Sequence, residues 1–169
     1  MTHAAATSPL SALSRNVDWC ENRTTRRFRA LERKHPVLPT PTVSQFRKAA
    51  ASSPQQACVM IYRDTTRTIM WDDKLADTGD HEVPLDECLS FDHDQFEAIQ
   101  HAIRTGDPVR IPLTITRTSG DGYLFTAADG YASSAGTATL FFDAAEYLAF
   151  ATAVRNREFD RGATTQQRL

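Results

Sequence analysis

Histidines are the side chains in this sequence best suited to acid–base or metal chemistry, and two of them, His93 and His101, share a predicted helix. They lie eight positions apart, whereas two histidines that chelate one metal ion from a helix are three or four apart. His93 stands between Asp92 and Asp94, but acidic side chains at this position also stabilise a helix N-terminus. The pattern therefore favours the start of a helix over a metal site.

The other groups with catalytic or ligand chemistry have unsuitable surroundings or spacing. Cys58 lies in the apolar run CVMIY, where a cysteine behaves as a small buried hydrophobe rather than as an activated nucleophile. The aspartates at 72, 73, 77 and 80 do not have the spacing of a calcium-binding EF-hand loop. SGDG at 119–122 is too short for a phosphate-binding loop. We predict no enzyme activity, no catalytic residue, no metal, no cofactor and no small-molecule substrate.

Charge is distributed unevenly along the chain, although its net charge is only −2. Residues 71–97 carry ten acidic side chains against Lys74 alone, a net charge of −9. Residues 15–48 carry nine basic side chains against three acidic ones, a net charge of +6. Such asymmetry gives information about partners rather than about the fold, and two solvated faces remain the simpler alternative.

The acidic segment predicts a protein partner with a basic surface, and the basic segment allows a second function. The predicted partner-binding residues are Asp72, Asp73, Asp77, Asp80, Glu82, Asp86 and Glu87. A basic N-terminal arm would bind nucleic-acid phosphates or a partner through Arg23, Arg26, Arg27, Arg29, Arg33 and Lys34. The alternative for the arm is a helix docked on the body. Strong DNA binding by the whole chain is disfavoured, because the acidic segment repels a duplex.

A repeated stretch indicates the elements that position these charges. LSFDHDQFEAIQHAIR at 89–104 and LFFDAAEYLAFATAVR at 140–155 are identical at six of sixteen positions. Each reads as the end of a strand, an aspartate that caps a helix, and an amphipathic helix. Two β-prone runs precede each copy, and we expect Trp71 and Phe125 to be equivalent positions. The order strand, strand, loop, strand, helix therefore occurs twice.

A unit of this size buries too little surface to be stable alone, because domains near 60 residues are already marginal. We therefore predict an α+β fold in which two tandem units, each a small antiparallel sheet with a C-terminal helix, pair about a pseudo-two-fold axis. The predicted boundaries are a helical arm and Pro-rich connector at 1–42, units at 43–107 and 108–160, and a tail at 161–169. Single-copy relatives would dimerise through the same surface, and a homodimer of this chain remains an alternative.

Composition indicates the cellular compartment. Three widely spaced cysteines fit a reducing cytoplasm better than a disulfide framework or a zinc site. No run approaches the roughly 18 apolar residues that a membrane span requires. The N-terminus lacks the pattern of a secretory signal.

The first unit also resembles a known family. It reads FRKAAAS from Phe46, CVMI from Cys58, IMWDDK from Ile69, and LSF from Leu89 followed by a helix with an aromatic at Phe96. This pattern resembles small actinomycete proteins of the BldB type, a family whose domain has no known function, and LFFDAAEYLAF from Leu140 repeats its last part. The resemblance implies a non-catalytic cytoplasmic protein that binds and antagonises a helix-turn-helix regulator in development or secondary metabolism. It supplies no site residues.

Overall fold

Two three-stranded antiparallel sheets, each followed by a helix, form the part of the chain that the computed structural model describes, residues 39–52, 58–75 and 79–163. The first unit consists of β1 (Val59–Arg63), β2 (Arg67–Asp72), β3 (Leu89–Asp92) and α1 (His93–Thr105). The second unit consists of β4 (Leu113–Arg117), β5 (Tyr123–Ala127), α2 (Ala132–Ala135), β6 (Thr139–Phe142) and α3 (Ala144–Arg155). The predicted α+β architecture is confirmed.

The two sheets share one strand order and one register, which supports a duplication. Met70 pairs with Leu89 in the first sheet, and Phe125 pairs with Leu140 in the second. Met70 is therefore the equivalent of Phe125, and the expected equivalence of Trp71 and Phe125 is wrong by one position. The difference matters, because neighbouring residues on a strand point to opposite faces of the sheet.

Both helices start with the capping arrangement that their sequences predict. The side chains of Asp92 and Asp143 accept hydrogen bonds from the backbone N–H groups of Gln95 and Glu146. The side chains of Gln95 and Glu146 in turn accept from the N–H groups of the two aspartates. Each helix therefore begins with a complete capping box, which satisfies N–H groups that have no partner within the helix.

One hydrophobic core is shared by the two units. The inner faces of both sheets contribute to it, and so do α1 and α3, which contact each other. The largest side chains of the core are Phe91, Phe96, Phe125, Phe142, Phe150 and Phe159. Sharing a core removes from water the apolar faces that a single unit of this size would leave exposed.

The outer faces of the two sheets differ in chemistry. The outer face of the first sheet is apolar, and Phe46 and Val83 pack over Ile69 and Trp71 in a second, smaller cluster. The second sheet has Thr126 at the register position of Trp71. Threonine fits a strand while tolerating water, and Phe141 on the same face is 48% exposed, so this face lacks the cover of the first sheet.

A short segment after α3 ties the two units together, and we call residues 156–161 the C-terminal strap. The guanidinium of Arg47 donates to the carbonyl oxygen of Glu158, and that of Arg63 donates to the carbonyl oxygen of Phe159. Arg104, near the end of α1, binds the carboxylate of Asp160. All three donors belong to the first unit, so the second unit is held to it by polar contacts as well as by the core.

A residue just after the end of each helix adopts the left-handed backbone conformation, and only one of the two is glycine. Gly106 has a φ of 77°, and Arg157, 51 positions later, has a φ of 61°. The N–H of Asp107 bonds to the carbonyl of Ala102 at 2.9 Å, and the N–H of Glu158 bonds to that of Ala153 at 3.0 Å. The duplication thus extends through the helix ends, although the conformation of Arg157 is strained.

We expect Arg157→Gly to raise the free energy of unfolding by about 0.5 kcal/mol. Relief of the left-handed strain outweighs the greater entropy of a glycine in the unfolded chain. The lost Arg157–Asp160 ion pair contributes little, because the arginine side chain is 72% exposed. Urea denaturation measures the change. Gly106→Arg is the matched control, with an expected loss of about 1 kcal/mol, and a destabilised R157G would contradict the strain at this position.

The helical arm predicted for the N-terminus and the start of the Pro-rich connector lie outside the described residues, which begin at Pro39. No helix among the described residues is both long and apolar enough to cross a membrane.

Candidate functional site

The acidic residues of the partner-binding prediction divide into buried and solvent-facing groups. The carboxylate of Asp72 is only 6% exposed and lies 3.2 Å from the ammonium of Lys74. Asp73 pairs with Lys48 at 2.6 Å and accepts a hydrogen bond from the backbone N–H of Cys58. These two acids are therefore engaged in internal contacts, which leaves them little capacity to bind a partner.

Asp72 belongs to an ion cluster that joins the two units. The Lys74 ammonium also lies 2.9 Å from the carboxylate of Glu146, which is 4% exposed and caps α3 at the same time. Burial raises the pKa of Asp72, although Lys74 opposes the shift. Burial by itself would lower the pKa of Lys74, but the hydrogen bond to Glu146 and the charge of Asp72 raise it. Sequence reasoning missed this contact, because Glu146 has the pattern of an ordinary capping residue.

Four of the predicted acids lie on one loop and face solvent. Asp80, Glu82 and Asp86 are exposed and Glu87 is half-buried, while none of the four has an ion-pair partner among the described residues. Leu85 lies between them in the chain and is 41% exposed. We call these five residues the acidic surface.

The backbone of this loop is held in place, which fixes where its charges lie. The N–H of Val43 donates to the carbonyl of His81, and the N–H of Val83 donates to that of Pro41, both at 3.0 Å. The side chain of Val83 is fully buried against the outer face of the first sheet. A short 3-10 helix, Leu85–Glu87, then leads into β3. The backbone that carries the acidic surface is therefore anchored to the first sheet.

Hydrogen bonds and pKa values show the electrostatic character of the loop. The carboxylate of Asp80 accepts from the N–H of Ser44 at 2.9 Å and from its hydroxyl at 2.8 Å, and these bonds lower the pKa of Asp80. Burial raises the pKa of the Cys88 thiol to about 12, and the negative charges of Glu87 and Asp86 add to the increase. The loop therefore creates a negative potential at the start of β3.

The histidines of α1 have different surroundings. His93 is buried, with its Nδ1 atom 3.4 Å from the guanidinium of Arg63, whereas His101 is exposed. No group of three or more His, Cys, Asp or Glu side chains suited to a metal ion occurs in the part of the chain that the structure describes. Cys58 is buried.

Several predicted binding residues lie outside the described residues. They are Asp77 of the acidic segment and, in the arm, Arg23, Arg26, Arg27, Arg29, Arg33 and Lys34. Their roles stay predictions.

Comparisons of the chain with family models, with curated proteins and with solved structures gave no match. The resemblance to BldB-type proteins therefore stays a prediction that depends on the sequence motifs.

Proposed function

We propose that this protein is a non-catalytic regulatory protein that binds, through the acidic surface, a partner with a basic surface. The observation that carries the proposal is the set of carboxylates on this loop, Asp80, Glu82, Asp86 and Glu87, none of which forms an ion pair among the described residues. Elsewhere in the first unit, at Asp72 and Asp73, the fold supplies a lysine for each carboxylate. An excess of one charge sign reduces the stability of a fold through repulsion, so the arrangement favours a role in recognition.

The acidic surface has the composition of a steering site with an apolar contact. Long-range attraction between opposite charges accelerates encounter, and an apolar side chain such as Leu85 adds contact area once the partner is bound. The DNA-reading face of a helix-turn-helix protein is basic, because it must neutralise phosphates. Together with the BldB-type resemblance, this complementarity supports a helix-turn-helix regulator as the partner, with DNA release as the consequence of binding.

The test compares the full-length chain with the variant Asp80→Lys, Glu82→Lys, Asp86→Lys and Glu87→Lys as affinity baits in extracts of the native host. We expect the wild-type chain to enrich a helix-turn-helix protein and the variant to retain at least about tenfold less of it, a difference of roughly 1.4 kcal/mol in binding. The purified regulator, bound to its operator DNA, should then be released by the wild-type chain in a gel-shift assay.

A second variant controls for the position of the reversed charges. Asp107→Lys, Asp121→Lys and Asp129→Lys reverse three exposed acids of the linker and the second unit, and binding should be unchanged. If the acidic-surface variant enriched the same regulator as strongly as the wild-type chain, the proposed contact would be incorrect.

A further inference from the structure

A cavity of about 450 Å³ lies beside the start of α1, and Arg63, Asp64, Thr65, His93 and Arg161 line it. Arg63 and His93 are the buried part of the lining, because the side chain of Arg63 and the whole of His93 are each only 8% exposed. Thr65, in the turn between β1 and β2, and Arg161, at the end of the strap, are exposed. The volume is in the range of small-molecule sites, and every lining residue is polar.

His93 is the lining residue that the fold itself explains least. Arg63 holds the strap, whereas the side chain of His93 makes one hydrogen bond to the described residues, from its Nδ1 atom to Arg63. Ala144 is the equivalent of His93 in the second unit, and α3 still begins with a complete capping box. Helix formation at this position therefore does not need an imidazole. A polar ring is costly to bury unless its nitrogens find partners, so the second nitrogen, Nε2, requires a partner from the cavity.

Arg63 determines which nitrogen of His93 is a donor. A guanidinium can only donate hydrogen bonds, so the Nδ1 atom that lies 3.4 Å from it is an acceptor. The ring proton therefore lies on Nε2, because a neutral imidazole carries one N–H group. Arg63 is itself fixed, since it also donates to Glu97 and to the carbonyl of Phe159. The Nε2–H group is thus a donor on a ring whose orientation the protein holds.

The charges of the lining residues leave one cation without a carboxylate partner. Arg63 lies 3.2 Å from Glu97, and Asp64 lies 3.5 Å from Arg67. Asp64 also accepts hydrogen bonds from its own turn, so its carboxylate is occupied there. Arg161 forms no ion pair with a described residue. The remaining charge beside the cavity is therefore positive, and it belongs to an exposed side chain that can turn toward a ligand.

We propose that this cavity binds the carboxylate of a small organic acid. Arg161 supplies the charge and a bidentate pair of hydrogen bonds, while the Nε2–H of His93 and the hydroxyl of Thr65 supply neutral donors. A carboxylate has a single negative charge and matches the one unpaired cation, whereas a phosphate monoester has nearly two. The positive end of the α1 dipole adds to the attraction. The inference concerns binding without conversion of the ligand, and the site shares no residue with the acidic surface.

The experiment titrates small acids into the full-length chain labelled with ¹⁵N. The probes are lactate and benzoate, each compared with its own amide, which keeps the shape of the acid but lacks its charge. We expect saturable shifts of the amide signals of Thr65, His93 and Arg161, with a Kd of about 1–10 mM for at least one acid. The corresponding amide should bind at least about tenfold more weakly.

Substitutions test the three donors separately. Arg161→Gln removes the unpaired charge at an exposed position and should weaken binding of the acid at least about tenfold. His93→Ala introduces the residue that the second unit has at this position, and Thr65→Val removes a hydroxyl while keeping the shape of the side chain. Each should weaken binding by about threefold to tenfold. Arg110→Gln is the matched control, because it removes an exposed arginine of the linker between α1 and β4, and binding should be unchanged.

The outcomes that would overturn the proposal are specific. They are the absence of saturable shifts with either acid up to about 50 mM, equal affinity for an acid and its amide, and full affinity in Arg161→Gln. Inorganic phosphate is titrated in parallel. Tighter binding of phosphate than of both acids would overturn the choice of a carboxylate as the ligand group.

Discussion

Phe159→Ala should lower the free energy of unfolding by about 3–5 kcal/mol, although this residue lies beyond the last helix. The ring of Phe159 is 2% exposed and packs against that of Phe150 with centroids 6.0 Å apart, inside the shared core. Its removal leaves a cavity and also weakens the strap that gives Arg63 a carbonyl partner. Small domains have only about 5–15 kcal/mol of stability in total, so this variant should be close to unfolding at physiological temperature.

Urea denaturation followed by tryptophan fluorescence measures this loss. Leu148→Ala is the matched control, because it truncates an apolar side chain that is 61% exposed. Its effect should stay within about 0.5 kcal/mol. A loss below about 1 kcal/mol in the Phe159 variant would mean that the strap is not part of the folded core.

Lys74→Met should lower the free energy of unfolding by about 2–3 kcal/mol near pH 7. The lysine is the cation shared by Asp72 and Glu146, whose side chains are 6% and 4% exposed. Methionine retains the volume of the side chain but leaves two buried carboxylates without a positive charge. The expected loss is smaller than for a fully buried pair, because the lysine side chain is 37% exposed and water screens part of the interaction.

The loss should depend on pH in a defined direction. In the folded protein the pKa of Asp72 is raised above its ordinary value of 3.8, first by burial, while Lys74 opposes the increase. An acid whose pKa is raised in the folded state stabilises the fold at pH values below its unfolded pKa. That contribution disappears as the pH rises through the folded pKa. Without Lys74 the folded pKa rises further, so the difference between variant and wild type should grow from about pH 4 to about pH 7.

Wild-type protein should lose stability at alkaline pH through the lysine itself. The pKa of Lys74 is raised above 10.5, so its contribution is complete below that value and is lost as pH rises through the folded pKa. Lys48→Met removes a lysine that pairs with the more exposed Asp73 and serves as the control. Its loss should be about 1 kcal/mol. Equal losses in the two variants, or a Lys74→Met penalty that does not change with pH, would contradict the role of the ion cluster.

The acidic surface belongs to one of the two halves of a duplicated fold. The first unit presents Glu82 and Asp86 on a loop anchored by Val83, whereas α3 of the second unit presents the exposed side chain of Leu148. These outward residues lie outside the core that the two units share. A duplicated architecture permits this division, because the core positions stay fixed while the outward positions vary.

The sequence by itself determined the order of strands, the two longer helices and the duplication, whereas α2 falls in a segment predicted as a loop. The spacing of Phe96, Ile99 and Ile103 and of their equivalents specifies an amphipathic helix, and Asp92 and Asp143 specify where each helix begins. These signals are local, because a helix face and a cap involve residues a few positions apart. The net charge of the acidic segment also follows directly from the sequence.

Only the tertiary structure decided which of those charges face solvent. Asp72 and Asp80 look alike in the sequence, yet the first pairs with Lys74 against Glu146, 74 positions away from it, and the second stays exposed. Strand register likewise placed Trp71 on the outer face, and packing placed Phe159 in the core. Contacts between distant segments depend on how the two units pair, and a local sequence pattern does not specify that pairing.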